Sequence, residues 1–170
     1  MSALYAERNR ILIVLYYYHP YVSGVSVYAK RVAEGLVKEG YKVTVITSRF
    51  DRSLPKKQTI NGVLVVRRPV LLKLGKGVIM PTFWLDIILG ALKNDYINPH
   101  LPLSESGLSS LFIQKKRIIT TYHCDINLGP GIINQIITLI STILMKLQLY
   151  RSRVVIPSTK DYLSHSKMKK

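Results

Sequence analysis

The chain has 170 residues, 48% of them hydrophobic, one cysteine, and 25 Lys+Arg against 9 Asp+Glu, a formal charge of +16. This length and apolar content suit one domain with a packed core and argue against a disordered chain. The lone Cys124 excludes an internal disulfide and fits a reducing compartment.

Residues 1–9 are polar and lack the pattern of a secretory signal, so the expected location is cytoplasmic. Ile11-Leu-Ile-Val-Leu15 is an apolar run of strand length, unbroken as in a parallel strand covered on both faces. The turn Ser23-Gly24-Val25 follows. Val25, Tyr28, Ala29, Val32 and Leu36 then share one helical face, and Lys38-Glu39-Gly40 supplies a cation and a C′ glycine to end the helix. Residues 42–47 read as a second strand, completing a βαβ unit whose helix N-terminus can receive a phosphate or another anion.

A polar, basic loop is expected over residues 51–61, then a third strand over 62–67 after an Asn-Gly turn signal, and a basic connector over 71–77. Residues 81–92 predict a helix with Pro81 near its first turn. A short strand at 95–98 should end in Pro99-His100. Further on come a helix at 104–114, a fifth strand at 116–122 with His123-Cys-Asp125 at its end, a long helix at 132–150, a sixth strand at 153–156 and a short helix at 158–167. The domain thus runs from 10 to 166, with a basic tail at 167–170. Alternating strands and helices of this kind make a doubly wound, mostly parallel, Rossmann-like α/β sheet of about six strands.

Ligands of such sheets bind beyond the carboxyl ends of the strands. Tyr18, His19 and Gly24 are expected there after the first strand, His100 after the fourth and His123 after the fifth. Gly24 either receives an anion or merely allows a tight turn. His123, at the end of a β-branched strand, suits a hydrogen-bonding or acid/base role, whereas Cys124 is expected to be buried. The turn lacks the G-x-G-x-x-G dinucleotide fingerprint and the Gly-Lys-Ser/Thr of a P-loop, and no G-x-S-x-G elbow occurs. No D-x-D and no short histidine spacing marks a metal site.

The long helix has a broad apolar face, and its polar arc of Asn134, Gln135, Thr138, Ser141, Thr142 and Gln148 is uncharged. Such an arc hints at contact with another surface, but the helix is read as a core helix, as are residues 78–92. Asn127, Gly129, Pro130 and Gly131 break the uncharged run, which argues against a transmembrane span. Basic residues crowd between Arg49 and Lys76, opposed only by Asp51, and recur at Lys167, Lys169 and Lys170. They would attract anionic lipid, phosphorylated ligands or nucleic acid. No zinc-finger or RNP signature favours nucleic acid.

Four features in order resemble the N-terminal, acceptor-side domain of retaining GT-B glycosyltransferases of family four. They are Tyr-x-His19-Pro-x-x-x-Gly24 before a helix, the strand entry Gly40-Tyr-Lys-Val-Thr-Val-Ile46, Asp95-Tyr-Ile-Asn-Pro-His100-x-Pro102, and Thr121-Tyr-His123-Cys-Asp125. Ile156-Pro-Ser158-Thr-Lys-Asp-Tyr162 is a weaker fifth. The resemblance implies half of a GT-B fold that needs a C-terminal donor-binding domain, in cis or in trans, and is inactive without it. It implies a nucleotide-sugar donor and a glycan or lipid-linked acceptor, with no metal or other cofactor.

By the same resemblance, Gly24, with Ser23 and Val25, would approach the donor diphosphate. His123 would contact the transferred sugar, and His100, His19, Tyr18 and Asp125 would line or support the acceptor cleft. Ser23 replaces a usual glycine and Asn98 a frequent histidine. A peripheral position at the inner face of the membrane fits the basic and aromatic segments. The alternatives left open are a non-catalytic acceptor-binding or membrane-associated module, a truncated gene product, or a basic nucleic-acid-binding domain.

Overall fold

The apolar run after Arg10 forms β1 (Arg10–Val14), and its Leu12, Ile13 and Val14 are fully buried, as a strand covered on both faces requires. In this computed structural model, residues 9–74, 77–126 and 128–158 are described. The expected helix at 158–167 and the basic tail lie outside them, apart from Ser158.

β1 leads to α1 (Gly24–Lys38), which ends with Gly40 at φ 87, the left-handed position that glycine occupies without steric cost. Then follow β2 (Lys42–Ser48), β3 (Lys57–Ile60), β4 (Val63–Arg68), a small hairpin of β5 (Leu72–Leu74) and β6 (Gly77–Ile79), and α2 (Phe83–Leu92). β7 (Tyr96–Leu101), α3 (Ser104–Ser110), β8 (Ile119–Tyr122), α4 (Ile132–Tyr150) and β9 (Val154–Pro157) complete the order.

The main sheet has seven strands in the order β3-β4-β2-β1-β7-β8-β9, parallel except for β3, which runs antiparallel to β4. Its α/β, mostly parallel, Rossmann-like character is as expected, and its strand count is higher. β3 lies within the expected loop of residues 51–61: Lys57, Gln58 and Thr59 are exposed on an edge, where polar residues and lysine discourage further pairing, so no buried alternation marks the strand. The connector at 71–77 is instead the hairpin β5–β6. β7 runs through Pro99 to Leu101 instead of ending at 98. Pro99 is the last residue paired with β1, and pairing with β8 takes over at His100, so the missing N–H falls where one ladder yields to the other.

Two cores result, one on each face. Ile13, Leu15, Val43, Val45, Val63 and Val65 pack against Ala29 and Ala33 of α1. Leu12, Val14, Ile46, Ile97 and Tyr122 pack with Phe83, Ile87 and Ala91 of α2 and Met145 of α4. The chain leaves β1 in one direction through α1 to β2. It enters β7 on the other side of β1, so the topological switch point lies at the head of β1.

α4 is not the core helix its sequence suggests. Ser141, Met145 and Gln148 face the domain, whereas Ile132, Ile133, Ile136, Leu139, Ile140 and Ile143 are 52–78% exposed. Ser141 and Gln148 of the polar arc point inward, and the C-terminal end of α4 rests on a polar seat: Gln148 donates to Thr120 Oγ1 at 2.9 Å, which lies 2.6 Å from Ser152 Oγ.

Candidate active site at the switch point

The head of β1 and the start of α1 form the first part of the site. Ser23 is the N-cap. Its hydroxyl accepts from the Ser26 N–H at 3.2 Å, and Ser26 Oγ accepts from the Ser23 N–H at 2.8 Å, a reciprocal capping box. The Ser23 carbonyl takes the Val27 N–H. Gly24 and Val25 supply the remaining first-turn donors. Gly24 has no left-handed backbone, and a Cβ there would meet nothing within 4 Å. The turn therefore does not need glycine for its own geometry; what glycine leaves is open space beside the helix start.

The second part is a chain of hydrogen bonds across β7 and β8. Asn98 Nδ2 lies 2.6 Å from the Ile119 carbonyl, which can only accept, so this edge of the amide must be the donor edge. It also donates to Thr121 Oγ1 at 2.9 Å. Asn98 Oδ1 then accepts from His100 Nε2 at 2.9 Å. With its proton on Nε2, neutral His100 has a bare Nδ1, which accepts from His123 Nε2 at 3.0 Å. The neutral His123 is thereby held in its Nε2–H tautomer, and its Nδ1 keeps a lone pair. Asn98, where a second histidine was the common alternative, is thus the group that sets the direction of the chain.

Burial keeps both rings neutral. His100 is 1% exposed, and desolvation, with His123 adding to it, pushes its pKa down to about 3. Half-buried His123 is lowered by desolvation as well. The backbone of His123 is tied down twice, its N–H donating to the Leu101 carbonyl at 3.2 Å and its carbonyl accepting from Ser158 Oγ at 3.4 Å.

Tyr28, one turn into α1, joins the two parts. Its ring meets His123 edge-on at 5.1 Å between centroids and His100 at 6.0 Å. Sequence reading placed Tyr28 only on an apolar helical face. Its position four residues after Gly24 is the one signal that linked it to the turn.

The other expected site residues fall as follows. His19 is exposed, and its carbonyl accepts from Arg67 Nη2 at 3.0 Å. Tyr18 is fully buried beside Ala29 and Val65, so it belongs to the core and not to a cleft wall. Its alternation in the strand extension turns it inward, and burial pushes its hydroxyl up to about 12. His100 lies within β7 instead of after it and forms the floor under His123. Asp125 is half-buried and accepts from the Tyr122 hydroxyl. Cys124 is half-exposed, not buried, because it lies past the end of β8 in the chain leaving the sheet.

Sequence reading also missed Tyr16 and Glu105. Tyr16, just past β1, donates to the Glu105 carboxylate at the start of α3 and accepts the Ser104 N–H at 3.3 Å. Burial raises the pKa of both groups. On the α1 side of β7, β8 and β9 runs an open groove of about 540 Å³, lined among others by Tyr28, Leu36, Tyr96, Asn98, Thr121 and Ile156. Beyond β2 and β4 a second cavity of about 570 Å³ carries Arg49, Arg52 and Lys73 beside Phe50 and Asp51.

Residues 22–164 match the protein family described as Glycosyltransferase Family 4. Over 63 residues the chain is 44% identical to an uncharacterized glycosyltransferase of Methanocaldococcus jannaschii, which takes in 36% of this chain and 16% of that protein. Sucrose-phosphate synthase from Thermosynechococcus elongatus has a similar fold, with a TM-score of 0.59 at 14% identity, covering 87% of this chain and 42% of that one. The chain therefore spans less than half the length of these relatives.

Proposed function

The chain belongs to glycosyltransferase family 4, and we propose that it forms the acceptor-side wall of a cleft in which a sugar passes from a nucleotide-sugar donor to a glycan or lipid-linked acceptor. Its fold is one Rossmann-like half of a GT-B enzyme. The observation that carries the reading is the hydrogen-bond chain Asn98–His100–His123 at the head of the sheet, beside the N-terminus of α1.

In this reading the Gly24 and Val25 N–H groups receive the donor diphosphate, which the open space at Gly24 lets approach. His123 Nδ1 accepts a hydrogen bond from a hydroxyl of the transferred sugar, and His100 and Asn98 hold the ring. Asp125 and His19 flank the acceptor. The acceptor hydroxyl oxygen bonds to the anomeric carbon as the diphosphate departs with the electron pair of the broken bond, and the hydroxyl proton passes to the departing diphosphate oxygen. Helix-start donors, together with basic groups of a donor-binding domain in cis or in trans, stabilise the departing charge, so the step calls for no metal. Transition-state binding requires both walls, and this domain alone is expected to be inactive.

The test is transfer from a panel of nucleotide sugars by this domain joined to its donor-binding domain, as wild type and as His123→Ala. The expected result is a loss of about 10²-fold in kcat with donor affinity changed by less than about threefold. Unchanged turnover leaves His123 a structural residue. Acceptor binding without transfer by the wild type favours a non-catalytic module.

A further inference from the structure

We propose that α4 seats this domain on an anionic lipid surface, its aliphatic stripe lying in the boundary between headgroups and acyl chains. The helix is inside out for a soluble domain. Its polar residues Ser141 and Gln148 are 7% and 2% exposed, whereas Ile132, Ile133, Ile136, Leu139, Ile140 and Ile143 face outward. A contiguous outward stripe of this kind marks an interaction surface.

By length and composition α4 could cross a membrane. Its packing favours lying flat instead. Thr120 of β8 shares buried hydrogen bonds with Gln148 and Ser152 that would be broken if the helix left the domain. At Gly107 of α3 the missing side chain admits the backbone of α4, and a Cβ there would overlap the Leu144 carbonyl. A helix held on one side, with an apolar face turned out, fits the interfacial mode.

Charge and residue type select lipid over a protein partner. From Ile132 to Ile143 the stripe is isoleucine and leucine alone, and the one aromatic residue of α4, the 64%-exposed Tyr150, stands at its far end with Lys115 over its ring, the arrangement of an interfacial anchor. α4 carries no acidic residue. Lys146 on the helix, and Lys93, Lys115 and Lys116 at the ends of the neighbouring segments, are exposed. The nearby carboxylates are engaged inward, Glu105 by Tyr16 and Asp86 by Arg68. The whole chain carries +16, which an anionic leaflet attracts. Trp84 meets the 68%-exposed Phe112 at 6.3 Å on the outer surface of the α2–α3 layer, an aromatic pair of the type found at membrane interfaces. α4 follows β8 and precedes its parallel neighbour β9, so the docked helix starts at the same edge of the sheet as His123. This last point rests on the proposed function and suits a lipid-linked acceptor; the docking itself does not depend on it.

The test is flotation of the full chain with vesicles of phosphatidylcholine alone or mixed with phosphatidylglycerol. It is paired with fluorescence of Trp84, the only tryptophan. Binding at least about tenfold tighter to the anionic vesicles, with a blue shift of Trp84, is expected. The triple variant Ile136→Asp, Ile140→Asp, Ile143→Asp should lose binding while keeping its circular dichroism spectrum, and Lys115→Glu with Lys146→Glu should weaken it. The proposal is overturned if the wild type ignores anionic vesicles, if a folded triple variant binds as well as wild type, or if the stripe is buried in a dimer of this chain that the triple variant splits. Vesicle binding needs no sugar donor, so its failure leaves the transfer reading standing.

Discussion

His100 ties the chemistry of the site to the stability of the domain. Its folded-state pKa lies near 3 against an ordinary 6.5, so the unfolded chain binds the proton more readily and folding favours the neutral ring. The stabilisation is fully present above about pH 6.5 and is lost progressively as pH falls toward 3. Between pH 6.5 and 5, before most carboxylates titrate, the loss is about 2 kcal/mol at 1.36 kcal/mol per unit. We expect the urea midpoint to fall over that interval and the fall to be smaller in His100→Gln. Equal pH slopes in the two proteins would remove His100 as the cause. His19 and His123 were legible as residues at the head of the sheet. The contact of His123 with His100, 23 positions apart, was not, because it depends on the register of β7 against β8. Tyr18 shows the same limit, since one step of alternation separates a cleft residue from a core residue.

At the level of elements, the α3–α4 contact is the tightest consequence of a single small residue. Gly107→Ala adds a methyl where the Leu144 backbone already sits, and backbone cannot rotate aside as a side chain can. Overpacking of this kind costs about 1–3 kcal/mol, more than the roughly 1 kcal/mol that alanine gains over glycine in a helix. Thermal unfolding of Gly107→Ala should therefore show a lower Tm, and a Tm at or above wild type would mean that the two helices are not so closely seated. The bounds of α4 agree with the expected 132–150, because its period runs unbroken from the Gly-Pro-Gly segment to Tyr150. β3 and the β5–β6 hairpin left no comparable pattern. They are short, exposed and polar, and they exist because β4 and the chain before α2 offer them partners.

Across the whole molecule, the positive charge divides into internal and external parts. Arg67 is 2% exposed and donates to the carbonyls of Pro55 and His19; Arg117 and Arg151 donate to backbone carbonyls near the ends of α2 and α3; Arg68 pairs with Asp86. These cations hold segments together and are poorly placed to attract a partner. Lys93, Lys115, Lys116 and Lys146, near α4, are exposed and remain for that role. If anionic vesicles are held by these cations together with the α4 stripe, raising salt from about 50 mM to about 500 mM should weaken binding without abolishing it. Complete loss would mean that the stripe does not insert, and no loss that the charges play no part.

The alternation of buried strands with amphipathic helices, the glycine turn after β1 and the order of the family's motifs were all determined by the sequence itself, because each is a local pattern set by side-chain period and backbone preference. Only the tertiary structure decided which histidine meets which, that Asn98 directs their protons, and that α4 turns Ser141 and Gln148 inward. Periodicity marks the two faces of a helix. Which face a fold buries depends on what lies opposite, and opposite Gln148 of α4 lies the hydroxyl of Thr120.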